Sequence, residues 1–319
     1  AMQRNPSIAE NSLRYFAWSD SAKAYTDLVR TRAAAILTDN TPIGETDFAM
    51  ALYEMNRERF VCTPGGGGWY RFNGLRWDSI GGGVLPSELT LQVFSRQRQG
   101  LLSILEKVAE DKLLGASAEM KIQIQRSFLT LERCLKTNTY ATNVMKIATR
   151  FFEDDGFRDR LDADRTKFVF RNCVLDLAGD GAICRAGAPT DYLSRTSLMA
   201  YNFGLTTNSP EVRRTKRFLR KLFPDPDLYD YFLKSHCLYF EGGNDDKAAH
   251  IWVGTKGNNG KSTLQNVFEN MLGSYSIKSS TVLLTGKKPG TGQANPDLAR
   301  AGSGVRDLTV DEPDDHEVI

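Results

Sequence analysis

The sequence has few features that could support a disulfide scaffold, a zinc site or a membrane span. Its five cysteines are scattered, odd in number and without a Cys-x-x-Cys pair (Cys62, Cys134, Cys173, Cys184 and Cys237). This usage indicates neither a disulfide framework nor a zinc site, and it is typical of a reducing, intracellular setting. No apolar run is long enough to cross a membrane and no signal sequence is visible, so we expect no membrane partner.

A strong excess of charge is also missing. The 319 residues carry 41 Lys and Arg against 39 Asp and Glu, a net charge of +2, so any nucleic-acid surface must be local. A hydrophobic fraction of 41% is ordinary for a soluble chain with room for two or three domains. Ala1-Met2 has the character of a cloning remnant, and we therefore expect a piece excised from a longer protein.

The most informative stretch is the glycine-rich turn Gly254–Thr263. The short apolar run Ile251–Val253 precedes it, and a helix-like run, Leu264–Leu272, follows it. A strand, a glycine turn and a helix start occur in this order in phosphate-binding loops. Gly257 and Gly260 would let backbone N–H groups turn toward a polyphosphate.

The residues after these glycines fit the same chemistry. Lys261 would place a point charge on the β- and γ-phosphates, and the Ser262 hydroxyl would coordinate Mg²⁺. The predicted ATP-binding set is Gly257, Asn258, Asn259, Gly260, Lys261, Ser262 and Thr263. The motif departs from GxxxxGK[ST] because Thr255 occupies the first glycine position and Gly254 lies one residue further out. An ordinary glycine turn is the alternative, which the intact Gly-Lys-Ser-Thr run disfavours.

A second acidic site is expected near the end of the chain. The strand-like segment Val305–Val310 runs into Asp311 and Glu312. Asp311 would support Mg²⁺ through water, and Glu312 would polarise the attacking water as a general base. Arg306 and Asp307 interrupt the apolar pattern of this strand, and a solvated acidic turn is the alternative interpretation.

Apolar spacing predicts helices and a small hairpin in the first half of the chain. The expected helices cover residues 1–38, 46–60, 88–114, 118–136 and 140–153, and the strands 59–62 and 69–77. Aromatic and basic residues interleave in the hairpin, at Trp69, Tyr70, Arg71, Phe72, Arg76 and Trp77. They could stack on nucleic-acid bases, but we favour aromatics that alternate into the core.

The next region turns to strand and then to a strongly basic helix. Strand character is predicted for residues 168–177, 182–185 and 191–196, and helices for 211–223 and 227–240. The helix 211–223 carries the densest basic stretch, with Arg213, Arg214, Arg217 and Arg220 as the DNA-binding candidates beside Lys216 and Lys221. Such a face could bind phosphates along a DNA path or simply be solvated.

These patterns predict an α+β N-terminal domain, a helical bundle with small β-hairpins, followed by a partial α/β P-loop domain. The expected divisions are an N-terminal helical segment at residues 1–44, a domain at 45–205, a helical linker at 206–245 and the P-loop domain at 246–319.

Five segments in this order resemble the poxvirus-type and phage/plasmid-type primase-helicases. They are Asn172–Leu177, Asp191–Thr196, Gly257–Thr263, Ala294–Arg300 and Asp311–Pro313. Members of this family are superfamily 3 helicases, in which an AAA+ ATPase follows a helicase-associated N-terminal domain. The aromatic hairpin is similar to one near the start of that domain, so the resemblance covers the chain from about residue 45. Cys173 stands where the family often has Gly.

The resemblance implies the helicase part of a DNA-replication protein of a virus, phage or mobile element. It implies a hexameric ring around DNA, ATP with Mg²⁺ as cofactors, an upstream primase domain and action in the host cytoplasm or at the site of replication. The family's sensor Asn, DNA-contacting hairpin and arginine finger follow the second acidic motif, so we expect the 319-residue chain to be inactive or weak as an ATPase and not to act as a helicase.

Two other functions remain open from the sequence. A small-molecule kinase or packaging motor would share the phosphate-binding loop, but the large N-terminal domain and basic helix disfavour it. A non-enzymatic module that binds DNA or a replication partner through residues 1–240 is the stronger rival.

Overall fold

The computed structural model describes a mixed α/β protein. It describes residues 20–39, 42–66, 68–80, 95–179, 181–245, 247–254, 259–281, 301–302 and 304–310. The chain forms two compact units. The first consists of Ala1–Asn73, Trp77–Asp159 and Ala188–Thr190, and the second of Gly74–Arg76, Arg160–Gly187 and Asp191–Ile319.

Helices dominate the first unit. In chain order they are α1 (Ala22–Asp39), α2 (Glu45–Asn56), α3 (Ser95–Leu113), α4 (Ala118–Leu135), α5 (Asn138–Phe152) and the short α6 (Phe157–Arg160). Buried apolar residues of α1 to α5 form one core, and α2 supplies Phe48 and Leu52 to it, both fully buried. Within the described residues the predicted helices are confirmed, with ends that differ by a few positions. Residues 1–19 and 88–94 of the predicted helices lie outside the described residues.

A three-stranded antiparallel sheet completes this unit. Its strands are β1 (Phe60–Thr63), β2 (Gly68–Phe72) and β3 (Trp77–Ser79), in the order β1-β2-β3. Asn73-Gly74 stands in the connection from β2 to β3, and Gly74 has φ +104°, a conformation that favours glycine. The predicted hairpin is therefore confirmed.

The second unit contains two small sheets and three long helices. The first sheet is an antiparallel meander of β4 (Lys167–Val169), β5 (Val174–Asp176) and β6 (Ile183–Arg185). The helices are α7 (Pro210–Leu222), α8 (Pro226–Glu241) and α9 (Lys261–Leu272), and the second sheet is a parallel pair, β7 (Ser276–Ser279) and β8 (Asp307–Val310). Ser276 pairs with Asp307 and Ser279 with Val310.

Three strand predictions differ from the structure. Residues 168–177 form two strands, because the Phe170 N–H donates to the Cys173 carbonyl at 2.8 Å and closes a turn. Residues 191–196 form no strand, and Asp191 instead ends a 3₁₀ turn that begins at Pro189. Ile251–Val253 pairs with no strand among the described residues, and Ile251 and Val253 are 82% and 85% exposed. A strand needs a ladder partner, which an apolar run alone cannot supply.

Among the described residues, no helix is long and apolar enough to cross a membrane. The four-part division expected from the sequence stays a prediction.

Candidate nucleotide-binding site and basic helix

Helix α9 begins at the lysine that the sequence motif requires. Gly260 precedes the helix in a left-handed conformation, φ 86° and ψ 4°, which glycine adopts without a steric penalty. Lys261, Ser262 and Thr263 therefore fill the first turn, where backbone N–H groups lack intrahelical partners and the helix dipole favours an anion. This start combines the exposed hydroxyl of Ser262 with a half-buried lysine.

Gly254 lies close to the residues at which the helix starts. Gly254 lies so close to Asn259 that a Cβ at Gly254 would collide with the Asn259 amide and would lie 3.4 Å from the Lys261 Nζ. Gly254 is thus a close-approach glycine, although it stands one position away from the standard motif. The structure brings Gly254, Asn259 and Lys261 together.

Four of the predicted site residues lie outside the described residues. They are Gly257, Asn258, Asp311 and Glu312. Among the described residues, no group of three or more His, Cys, Asp or Glu side chains could hold a metal ion. The exposed Ser262 hydroxyl at the helix start is the kind of oxygen ligand that Mg²⁺ uses.

The buried face of α9 fixes the helix on the core of its unit. Leu264, Phe268 and Leu272 are buried along one side. Phe268 meets two residues of α8, with ring centroids 6.0 Å from Phe232 and 4.8 Å from His236. Burial lowers the pKa of His236, so this imidazole stays neutral and packs as part of the apolar cluster.

The far end of α9 is clamped by the segment Arg195–Ser197. Ser197 Oγ donates to the Met271 carbonyl, and the Thr196 N–H donates to Ser274 Oγ at 2.6 Å. Gly273, with φ 59°, ends the helix against this segment, and a Cβ there would lie 2.5 Å from the Thr196 carbonyl oxygen. These bonds satisfy groups that a helix end leaves unpaired.

A buried ionic cluster holds the residues just before that clamp. Arg185 donates to both carboxylate oxygens of Asp191, at 2.8 and 2.7 Å, and Lys167 Nζ lies 3.1 Å from Asp191. The hydrogen bond with Asp191 raises the pKa of Arg185 above its ordinary value. From the sequence, Asp191–Thr196 is predicted as a strand and carries part of the family resemblance. In the structure this segment instead holds the end of the helix that begins at Lys261.

The strand before the predicted acidic pair is confirmed as β8, and its polar interruptions have partners. Arg306 donates to the carbonyls of Tyr239, Phe240 and Lys167. Its guanidinium also lies 4.8 Å from the centre of the Tyr275 ring. Burial lowers the pKa of Arg306, and the carbonyls and the ring compensate the charge.

Helix α7 carries the basic stretch on one exposed side. Its thirteen residues include six basic side chains and one acid, and none of them is buried. Arg213, Arg214, Arg217, Arg220 and Lys221 are exposed. Within the described part of the chain, these side chains form no hydrogen bond or ion pair. Arg220 makes a cation–π contact, with its guanidinium carbon 5.4 Å from the Tyr229 ring centre.

The opposite side of α7 packs on the same apolar cluster as α9. Leu219, Leu222 and Phe223 are its half-buried contributions, and Phe223 stacks on Phe232 at 4.3 Å. The amphipathic division predicted for this helix is confirmed, whereas DNA binding by its basic side stays a prediction.

The architecture and the site define a mixed α/β protein in which a glycine turn opens a helix with Lys-Ser-Thr. A family model described as "D5 N terminal like" matches residues 49–224. This match covers more than half of the chain, and the chain belongs to that family. The resemblance to viral primase-helicases is thereby confirmed.

Relatives from large DNA viruses extend the likeness over nearly the whole chain. "Putative helicase 121R" of Invertebrate iridescent virus 3 is 30% identical over 97% of this chain and 36% of the relative. "Putative helicase 184R" of Invertebrate iridescent virus 6 is 28% identical over 85% of this chain and 30% of the relative. "Putative helicase 022R" of Frog virus 3 (isolate Goorha) is 28% identical over 99% and 41%. The chain thus spans less than half the length of these relatives.

Proposed function

We propose that this chain is the nucleotide-binding and nucleic-acid-binding part of a viral replication helicase. The observation that carries the proposal is the start of α9, where Gly260 turns left-handed directly before Lys261. Gly254 lies close to the Asn259 side chain and to the Lys261 Nζ there, which supports a phosphate site at this lysine. The helicase names of the viral relatives support the same activity.

The ligand of this site would be ATP with Mg²⁺. Lys261 would bind the β- and γ-phosphates, and the backbone N–H groups of the first turn of α9 would bind the remaining phosphate oxygens. Ser262 and Asp311 would hold the magnesium, and Glu312 would accept a proton from the attacking water. When bound, Mg²⁺ would neutralise charge that develops on the phosphate oxygens.

The larger assembly belongs to the same proposal. A ring of six copies would surround DNA, and ATP hydrolysis would drive unwinding. A primase domain would precede this region in the parent protein. Arg213, Arg214 and Arg217 would contact DNA phosphates, because their side of α7 is exposed. The division at residues 45, 206 and 246 would then separate a helicase-associated domain, a linker and an AAA+ domain.

Nucleotide binding and hydrolysis test the proposal directly. We would compare the 319-residue chain with a version that continues past Ile319, each with and without Lys261→Ala. Loss of a charge-assisted phosphate contact should weaken ATP binding by about 10–100-fold. Lys234→Ala, which removes an exposed lysine of α8, is the matched control and should leave ATP affinity unchanged. Equal affinities for Lys261→Ala and the unchanged chain would contradict the assignment.

The exposed basic side of α7 favours one second candidate, a nucleic-acid-binding module without catalysis. It predicts oligonucleotide binding that depends on salt and that neither ATP nor Lys261→Ala affects. Hydrolysis by the longer version, lost on Lys261→Ala, would exclude this candidate.

A further inference from the structure

The last residue of the basic helix contacts the glycine that precedes α9. A Cβ placed on Gly260 would lie 2.7 Å from Cδ2 of Leu222, the last residue of α7. Real Cβ atoms do not approach neighbours this closely, so the Leu222 side chain packs directly on the glycine backbone. The neighbour of this glycine in sequence is Lys261, whose position depends on the φ and ψ of Gly260.

This contact joins two chemically different surfaces. One side of α7 is the exposed basic face, in which Arg213, Arg217 and Lys221 recur at helical spacing. The whole chain has a net charge of only +2, so these charges form a local site for a polyanion. The other side carries Leu222, and any movement of α7 about its axis therefore moves the atoms that rest on Gly260.

A second path links the same two helices through aromatic side chains. Phe223, which directly follows α7, stacks on Phe232 at 4.3 Å, and Phe232 lies 6.0 Å from Phe268 in α9. α7 has no fully buried residue, whereas α9 buries three, Leu264, Phe268 and Leu272. α7 is therefore the more weakly held partner and the one whose movement a bound polyanion can restrict.

We propose that α7 couples nucleic-acid binding to the phosphate-binding loop through the contact of Leu222 with Gly260. The proposal rests on the proposed function, and it adds the route by which the two ligands affect each other. Bound single-stranded DNA holds the basic face of α7, and Leu222 then holds Gly260 in the left-handed conformation that directs Lys261 toward phosphate. Binding free energies are reciprocal, so nucleotide must strengthen DNA binding by the same factor.

The test is a thermodynamic cycle on the full chain. We would measure the affinity for a fluorescent, non-hydrolysable ATP analogue with Mg²⁺, with and without a single-stranded oligothymidylate. The affinity for the oligothymidylate would be measured with and without the analogue. We expect each ligand to strengthen the other by about fivefold or more. In Leu222→Ala this factor should fall clearly below that of the unchanged chain, because only the aromatic path remains, while each ligand alone still binds.

Leu219→Ala is the matched control, because Leu219 lies on the same apolar side of α7 and packs on the same cluster without being the nearest side chain to Gly260. It should keep the coupling. If Leu222→Ala unfolds, the same measurement is made on Leu222→Val, which removes fewer atoms. This variant should reduce the coupling in part.

The outcomes separate this proposal from the proposed function. If the unchanged chain binds both ligands independently, or if Leu222→Ala and Leu222→Val keep the full coupling, the proposed route is wrong while the proposed function stands. If the unchanged chain binds neither ligand, the proposed function fails and the coupling fails with it.

Discussion

The aromatic hairpin and helix α7 are the two regions whose sequences suggest contact with nucleic acid. They differ in the exposure of the side chains concerned. Trp69, Phe72 and Trp77 of the hairpin are 4%, 8% and 3% exposed. Arg213 and Arg217 of α7 are exposed. The residues that could stack on bases are therefore inside the protein, and the residues that could bind phosphate are at its surface.

Packing explains why the hairpin aromatics are buried. Trp69 meets Phe152 at the end of α5, with ring centroids 5.2 Å apart, while Trp77 meets Phe157 at 5.3 Å. Trp77 Nε1 also donates to the Pro189 carbonyl at 2.9 Å, which satisfies its polar atom. Phe152 of α5 and Phe157 of α6 therefore cover the two tryptophans of the hairpin.

The difference shows that interleaved aromatic and basic residues have different meanings on a strand and on a helix. A strand alternates its side chains between two faces, and both can be covered. A helix with basic residues at successive i, i+3 and i+4 positions keeps them on one side, and burial of that side would require partners for every charge. Charge on a helix face is thus the better signal for a nucleic-acid surface in this chain.

The largest expected effect is on the hairpin. Trp69→Ala should lower the free energy of unfolding by about 3–5 kcal/mol, because it removes a buried indole and leaves a cavity. Oligonucleotide affinity of the folded fraction should not change. Urea unfolding, followed by fluorescence anisotropy with a labelled oligonucleotide under conditions where the variant is folded, measures both quantities.

Arg71→Ala is the control from the same strand. Because Arg71 is only half-buried, this substitution should lower the free energy of unfolding less than Trp69→Ala does. A Trp69 variant that remains stable but binds DNA much more weakly would reverse the comparison, because it would make the hairpin the nucleic-acid surface.

The second effect concerns α7. Arg213→Glu combined with Arg217→Glu should weaken oligonucleotide binding by on the order of tenfold at low salt and reduce the salt slope by about one for each lost phosphate contact. The free energy of unfolding should change little, since both side chains are exposed. Affinities measured over a series of salt concentrations give the slope.

The matched control reverses two exposed charges on α4, with Lys121→Glu and Arg126→Glu. It changes the net charge equally but leaves α7 intact. If both double variants weaken binding alike, the effect comes from total charge, and the basic face of α7 loses its special role.

Much of the helical structure could be predicted from the sequence, because apolar spacing and glycine positions are local signals. The end of α9 at Leu272, directly before Gly273, and the amphipathic division of α7 are examples, whereas α9 starts three residues before the expected Leu264. The hairpin turn at Asn73-Gly74 is another, since glycine at positive φ is a property of the turn itself.

Contacts between distant segments could not be predicted in the same way. Arg306 bonds to carbonyls more than sixty residues away, and the sequence shows it only as an interruption of an apolar strand. Asp191 sits in a buried ionic cluster with Arg185 and Lys167, which no spacing rule indicates. For the candidate site, the sequence identified the lysine and the glycine turn but not Leu222, whose role depends on how α7 packs.

The smallest expected effect distinguishes Arg220 from the other arginines of α7. Its guanidinium lies 5.4 Å from the centre of the buried Tyr229 ring. To bind a phosphate, Arg220 would have to weaken this cation–π contact. Arg220→Ala should lower the free energy of unfolding by about 0.5–1 kcal/mol. It should weaken oligonucleotide binding less than Arg217→Ala does, because Arg217 has no such ring contact among the described residues. Anisotropy titrations and urea unfolding of the two single variants make the comparison. Equal losses of DNA affinity would mean that Arg220 leaves the ring when DNA binds, and the basic face would then extend along the full length of α7.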